Sequence, residues 1–99
     1  MTPYANWSPE AKHDLEEVAF YIAFHDGRPA TSERIVRDAH SLCDLIATQP
    51  EIGEGRPEFG ERCRVFSFEK RWMILYRPTP HGIDVLRFVD GVRDFDRLF

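Results

Sequence analysis

Four histidines, two cysteines and eleven arginines are the side chains best suited to chemistry here, and their spacing decides what they can do. His13, His25, His40 and His81 are scattered, and none stands at metal-ligand spacing from a cysteine or carboxylate. No metal and no other cofactor is therefore expected. Cys43 and Cys63 have neither metal nor redox spacing, so two reduced, partly buried thiols are the expected state; a bridge between them is the other arrangement the sequence permits. Gly53-Glu54-Gly55 followed by Gly60 lacks the spacing of a dinucleotide loop and precedes a strand where such a loop needs a helix. Asp94 and Asp96 lack the rest of a calcium loop, and Glu16-Glu17 reads as the solvated flank of a helix. Ser8 is placed to cap a helix, Ser41 falls inside one, and no nucleophile–base pair stands out. Motif chemistry alone does not make this chain an enzyme.

The arginines are the exception to this dispersal. Residues 1–54 carry ten acidic and four basic side chains, whereas residues 55–99 carry seven acidic and nine basic ones; the halves sum to the net charge of −4. Seven of the eleven arginines follow residue 60. A flat, forked guanidinium suits carboxylates and phosphates, so the second half is the part expected to meet an acidic partner.

The elements that must position these groups are legible as periods. Tyr4–Trp7 is a short extended segment. Ser8-Pro9-Glu10 starts a helix, with Ser8 as cap, Pro9 in the first turn and an acid where the helix dipole favours one. Ala11, Leu15, Val18 and Ile22 form its apolar stripe, and Gly27 stops it. A second helix begins near Pro29–Ser32, buries Ile35, Ala39, Leu42 and Ile46, and ends at Pro50. So tight a connection predicts an antiparallel helical hairpin.

Residues 51–61 hold three glycines and a proline and read as loop. Arg62–Phe68, Arg71–Arg77 and Ile83–Val89 are then short runs rich in aromatic and branched residues, joined by connections too short for parallel crossovers. One α+β domain over 1–99 is expected: an antiparallel three- to four-stranded sheet with the N-terminal hairpin packed on one face, in the order βααβββ. Trp72–Tyr76 and Val85–Val89 are apolar on both strand faces, yet one hairpin covers only one face. Either the strands curl to bury both faces or a partner protein covers the second one, and a partner is the favoured cover. No apolar run reaches the ~18 residues of a membrane span, and the N-terminus lacks the regions of a signal peptide. A cytoplasmic protein without membrane association is expected.

The segment from Trp7-Ser8-Pro9-Glu10-Ala11 through Asp14-Leu15-Glu16-Glu17-Val18-Ala19-Phe20-Tyr21-Ile22-Ala23 resembles the opening of ParE-type toxins of the ParE/RelE superfamily. The resemblance continues at Thr48-Gln49-Pro50-Glu51-Ile52-Gly53, at Arg64-Val65-Phe66, at Ile74-Leu75-Tyr76-Arg77 and at Val85-Leu86-Arg87-Phe88-Val89-Asp90-Gly91-Val92-Arg93-Asp94. Each motif is mostly core and turn chemistry, but five of them stand in register along nearly the whole chain.

The resemblance implies the fold just described and a type II toxin neutralised by a co-encoded, ParD-like antitoxin in a hetero-oligomer. The antitoxin's partly disordered tail would wrap the protein, with Trp72, Ile74, Leu86 and Phe88 as expected contacts on the uncovered sheet. ParE-like members poison DNA gyrase; for this reading Arg93, Asp94, Arg64, Arg77 and Arg87 are the expected target contacts. No direct, specific DNA binding by this chain alone is expected. RelE- and YoeB-like members instead cleave messenger RNA on the ribosome, for which Arg64, Arg87 and Tyr76 would be the catalytic set. Where YoeB-like members carry His-Tyr at the end of the last strand, this chain has Asp90-Gly91, a phosphate-repelling group and a residue with no side chain. That departure weighs against the ribonuclease.

Overall fold

A computed structural model describes residues 2–91. Its elements are β1 (Tyr4–Trp7), α1 (Pro9–Phe20) continued by a π-helical turn (Tyr21–His25), α2 (Pro29–Thr48), a 3-10 turn (Pro50–Ile52), β2 (Glu54–Gly55), a second 3-10 turn (Pro57–Phe59), β3 (Arg64–Phe68), β4 (Trp72–Thr79) and β5 (Gly82–Asp90). The expected final helical turn at Asp94–Phe99, and the residues Arg93 and Asp94, lie outside the described residues.

The helices form where caps and stripes place them. Ser8 accepts a hydrogen bond from the Ala11 backbone N–H at 3.0 Å, and Ala11, Leu15 and Ile22 are buried. Ile35, Ala39, Cys43 and Ile46 line the buried face of α2. Between the helices, Ser32, the one buried polar or charged residue among the described residues, donates to the Ala19 carbonyl at 2.7 Å and is thereby satisfied.

The sheet runs β1-β5-β4-β3-β2. The meander β3–β4–β5 is antiparallel as expected, with Ile74 opposite both Phe66 and Phe88, and a bulge where Leu75 pairs with Arg87 but Tyr76 with Val85. Two additions make the sheet five-stranded and mixed. β1 joins β5 in parallel; the helical hairpin and the β2–β3–β4 meander all lie between them in the chain, so the partner of β1 is the last strand and not the next one. β2 pairs with β3 through only two residues inside the glycine-rich stretch, too few to show a strand period.

Two apolar clusters account for strands that are hydrophobic on both faces. The larger lies under the helices and gathers Trp7, Phe68, Trp72, Ile74, Tyr76, Val85 and Phe88 with the helical stripes; Trp72 and Phe88 ring centroids are 6.0 Å apart. The smaller consists of Cys63, Val65 and Leu75, with half-buried Phe59, Met73 and Leu86 against it. The second face is thus covered in part by the chain itself, since the Pro57–Phe59 turn brings an aromatic ring onto it, and a partner is not its only cover. Cys43 and Cys63 are both buried free thiols. Burial pushes the Cys43 thiol up to about 12, with Asp44 adding to the effect.

Candidate functional site

The residues singled out for function fall into four different surroundings. Tyr76 has 0% of its surface exposed. Its hydroxyl donates to the Pro50 carbonyl at 2.7 Å and accepts from the Gly53 backbone N–H at 2.8 Å, so one phenol pins both ends of the turn that follows α2. Arg64, opposite Tyr76 in the ladder, donates to the carbonyls of Glu51 at 3.1 Å and Gly53 at 2.7 Å. Burial raises the Tyr76 pKa, with the Gly53 N–H and the Arg64 charge partly offsetting it. Gly53 is needed there: a Cβ would lie 2.5 Å from the Tyr76 hydroxyl and 2.9 Å from the Val65 carbonyl. Two distant sequence segments, Pro50–Gly53 and Ile74–Arg77, are therefore one structural unit.

Arg87 meets α1. Its Nε donates to Asp14 at 2.7 Å and its Nη2 at 3.0 Å, a bidentate pair whose carboxylate is largely shielded. Asp14 also accepts the Phe88 backbone N–H at 3.0 Å. The parallel ladder with β1 ends at Val85, and beyond it α1 supplies what a neighbouring strand would: Ser8 N–H donates to the Val85 carbonyl, Ser8 Oγ to the Leu86 carbonyl, and Asp14 accepts from Phe88. The sequence holds no sign of this role for Asp14, because an acid in a helix is most often solvated.

Arg77 is exposed on β4, across from Asp84. Asp90, at the end of β5, pairs with Arg71 at 3.3 Å, and Arg71 also lies over the Trp72 ring at 4.9 Å. Gly91 donates its N–H to the Arg71 carbonyl at 2.7 Å, and a Cβ at Gly91 would lie 2.8 Å from Met73. The Asp90-Gly91 step thus closes the sheet end. Of the four expected antitoxin contacts, Trp72, Ile74 and Phe88 sit in the core beneath the helices, and Leu86 alone reaches the opposite sheet face. Alternation along a strand cannot tell which face a helix will cover.

Among the described residues no group of three or more His, Cys, Asp or Glu is placed to hold a metal ion, and no helix is long and apolar enough to cross a membrane.

Sequence reasoning passed over the outer side of the hairpin tip. Phe20 and Phe24 are 66% and 73% exposed and lie 4.7 Å apart in a tilted pair; Tyr21 and His25 stack at 4.3 Å with an angle of 13°. Their i, i+4 spacing off the buried stripe was the available signal.

A family model described as "ParE toxin of type II toxin-antitoxin system, parDE" matches residues 5–95. A chain of the chromosomal ParDE TA system from P. aeruginosa has a similar structure, with a TM-score of 0.69 over 90% of this chain and 96% of that chain at 20% identity. At that identity the likeness is one of fold alone. A comparison with curated proteins finds no significant match.

Proposed function

The chain belongs to the ParE toxin family of type II toxin–antitoxin systems, and from that premise we propose that it arrests growth by binding and poisoning DNA gyrase, with no chemistry of its own, and is neutralised by a co-encoded, ParD-like antitoxin. The observation that carries this reading is the commitment of the three groups a ribonuclease would use. Tyr76 is enclosed, with its hydroxyl bonded on both sides and its pKa raised, so it is not a base for a ribose hydroxyl. Arg64 holds the same turn, and Arg87 is paired bidentately with Asp14. A toxin acting through binding needs a stable shape and a charged surface, which these bonds serve.

Arg77 is the exposed sheet cation among the expected target contacts, and Arg64, Arg87, Arg93 and Asp94 complete the set. The antitoxin contacts proposed on the sheet reduce to Leu86, unless Trp72, Ile74 and Phe88 were uncovered by opening the core. An acidic antitoxin segment suits the arginine-rich second half of the chain.

The test is a gyrase supercoiling and cleavage assay with purified chain, with and without the co-encoded partner. Accumulation of cleaved DNA that the partner relieves is the expected result. Unaffected gyrase, together with codon-linked cuts in messenger RNA after induction, would replace this reading with the ribosome-dependent endoribonuclease. Unchanged growth on expression without the partner would instead mark a chain that survives as an assembly partner only.

A further inference from the structure

The last strand ends more firmly than a sheet requires. Strand ends ordinarily fray, because the final rung has no neighbour beyond it. Here three contacts meet on one residue of the opposite strand. The Gly91 N–H donates to the Arg71 carbonyl at 2.7 Å, one rung past the Trp72–Asp90 pair. The Arg71 guanidinium reaches diagonally back to Asp90, with Nε 3.3 Å from Oδ2, and lies over the Trp72 ring at 4.9 Å. Asp90 keeps only 15% of its side chain exposed. Gly91 has no space for a side chain, since a Cβ would also lie 3.0 Å from the Arg71 carbonyl oxygen.

Arg71 is itself held in place. It closes a two-residue turn, its N–H donating to the Phe68 carbonyl at 3.2 Å. Glu69 and Lys70 within that turn both take positive φ, 57° and 58°, as a type I′ turn demands. Neither is a glycine or asparagine, the residues that favour this conformation, and Glu69 is fixed by Arg34 of α2 at 2.9 Å. The tie thus runs from α2 through the turn to the end of β5. It fixes the direction in which the chain leaves Gly91. Arg93 and Asp94 are the second and third residues beyond that point, so covalent geometry keeps both within about 11 Å of it.

We propose that Arg71 and Asp90 are positioning residues for target binding: their ion pair, with the Gly91 hydrogen bond, sets the exit of β5 so that Arg93 and Asp94 meet gyrase from a fixed starting point. This rests on the gyrase reading above and adds to it two residues that need not touch the target. Contacts made from a fixed exit lose less freedom on binding than contacts made from a frayed one. A partly exposed ion pair contributes little to folding, so this one can be broken in a protein that still folds.

The experiment measures DNA cleavage by gyrase against the concentration of the full-length chain, with melting temperature alongside. Arg71→Glu and Asp90→Lys are each expected to raise the half-maximal concentration at least about tenfold, while melting within about 3 °C of the parent. The double variant Arg71→Glu/Asp90→Lys remakes the pair with its charges exchanged and is expected to recover about half of that loss on a logarithmic scale. A direct target contact by Arg71 would not be rescued by the exchange. Where a charge reversal prevents folding, Asp90→Asn, the isosteric change, is expected to lose at least about threefold with the fold kept. Full activity of the single variants overturns the proposal, as does a double variant no better than either one. Loss of activity that tracks a large fall in melting temperature overturns it too, by making the pair a folding element. If the parent chain leaves gyrase untouched, the gyrase reading itself falls and the positioning assignment with it.

Discussion

The two ends of the helical hairpin are built on opposite plans. Where α2 ends, the chain is bolted to the sheet: Tyr76 bonds Pro50 and Gly53, Arg64 bonds Glu51 and Gly53, and Gly53 fits only without a side chain. Where α1 turns into α2, two ring pairs face solvent, Phe20 with Phe24 tilted and Tyr21 with His25 stacked. The bolted end uses the polar residues that look catalytic in the sequence; the open end uses aromatics that look like ordinary helix content. In this protein the conspicuous polar side chains are bonded into the framework, and exposed rings gather where the helix departs from its buried stripe.

The strongest way to break that contrast is to disturb the bolted end. Gly53→Ala places a methyl group against the Tyr76 hydroxyl and the Val65 carbonyl and is expected to cost about 3 kcal/mol in urea unfolding. A loss below about 1 kcal/mol would mean the turn relaxes freely, and the bolt would be incidental.

Tyr76→Phe removes only the hydroxyl that joins Pro50 to Gly53, with an expected loss of about 1–2 kcal/mol and growth inhibition retained. Abolished toxicity in a variant that still folds would restore Tyr76 to a catalytic role and reverse the comparison.

A pH series probes the buried side of α2. The folded Cys43 thiol titrates near 12, above the ordinary value of 9.0 that applies in the unfolded chain. Its contribution is therefore complete below pH 9 and is lost as pH rises from there toward 12. Stability should fall by about 1 kcal/mol between pH 8 and pH 10 from this group, and the raised Tyr76 pKa acts in the same direction. Cys43→Ser should flatten that part of the profile, and an unchanged slope would show that Cys43 is not its source.

The smallest effect is expected at the open end. Phe20→Ser and Phe24→Ser should each change unfolding free energy by less than about 0.5 kcal/mol. A large loss at either position would make these rings packing elements and erase the difference between the two ends.

Legibility in the sequence followed the range of the interactions. Ser8, the Ala11–Leu15–Ile22 stripe and the β3–β4–β5 meander were readable because caps, helical periods and short connections are local. The parallel β1–β5 pair was not, since nothing in Tyr4–Trp7 says which edge it joins. Trp72, Ile74 and Phe88 read as partner contacts because a strand apolar on both sides hides which face lies under the helices. Asp14 gave no signal, since its partners Arg87 and Phe88 are more than 70 residues away.

By itself, then, the sequence determined the family, the order of most elements and the concentration of arginine after residue 60, all properties of local pattern and composition. The tertiary structure alone decided that Tyr76, Arg64 and Arg87 are bonded into the framework while Phe20 and Phe24 stay in water. A side chain's role depends on which surroundings the fold brings to it, and a hydroxyl or guanidinium carries no local mark of whether that is a solvent-facing site or a buried carbonyl.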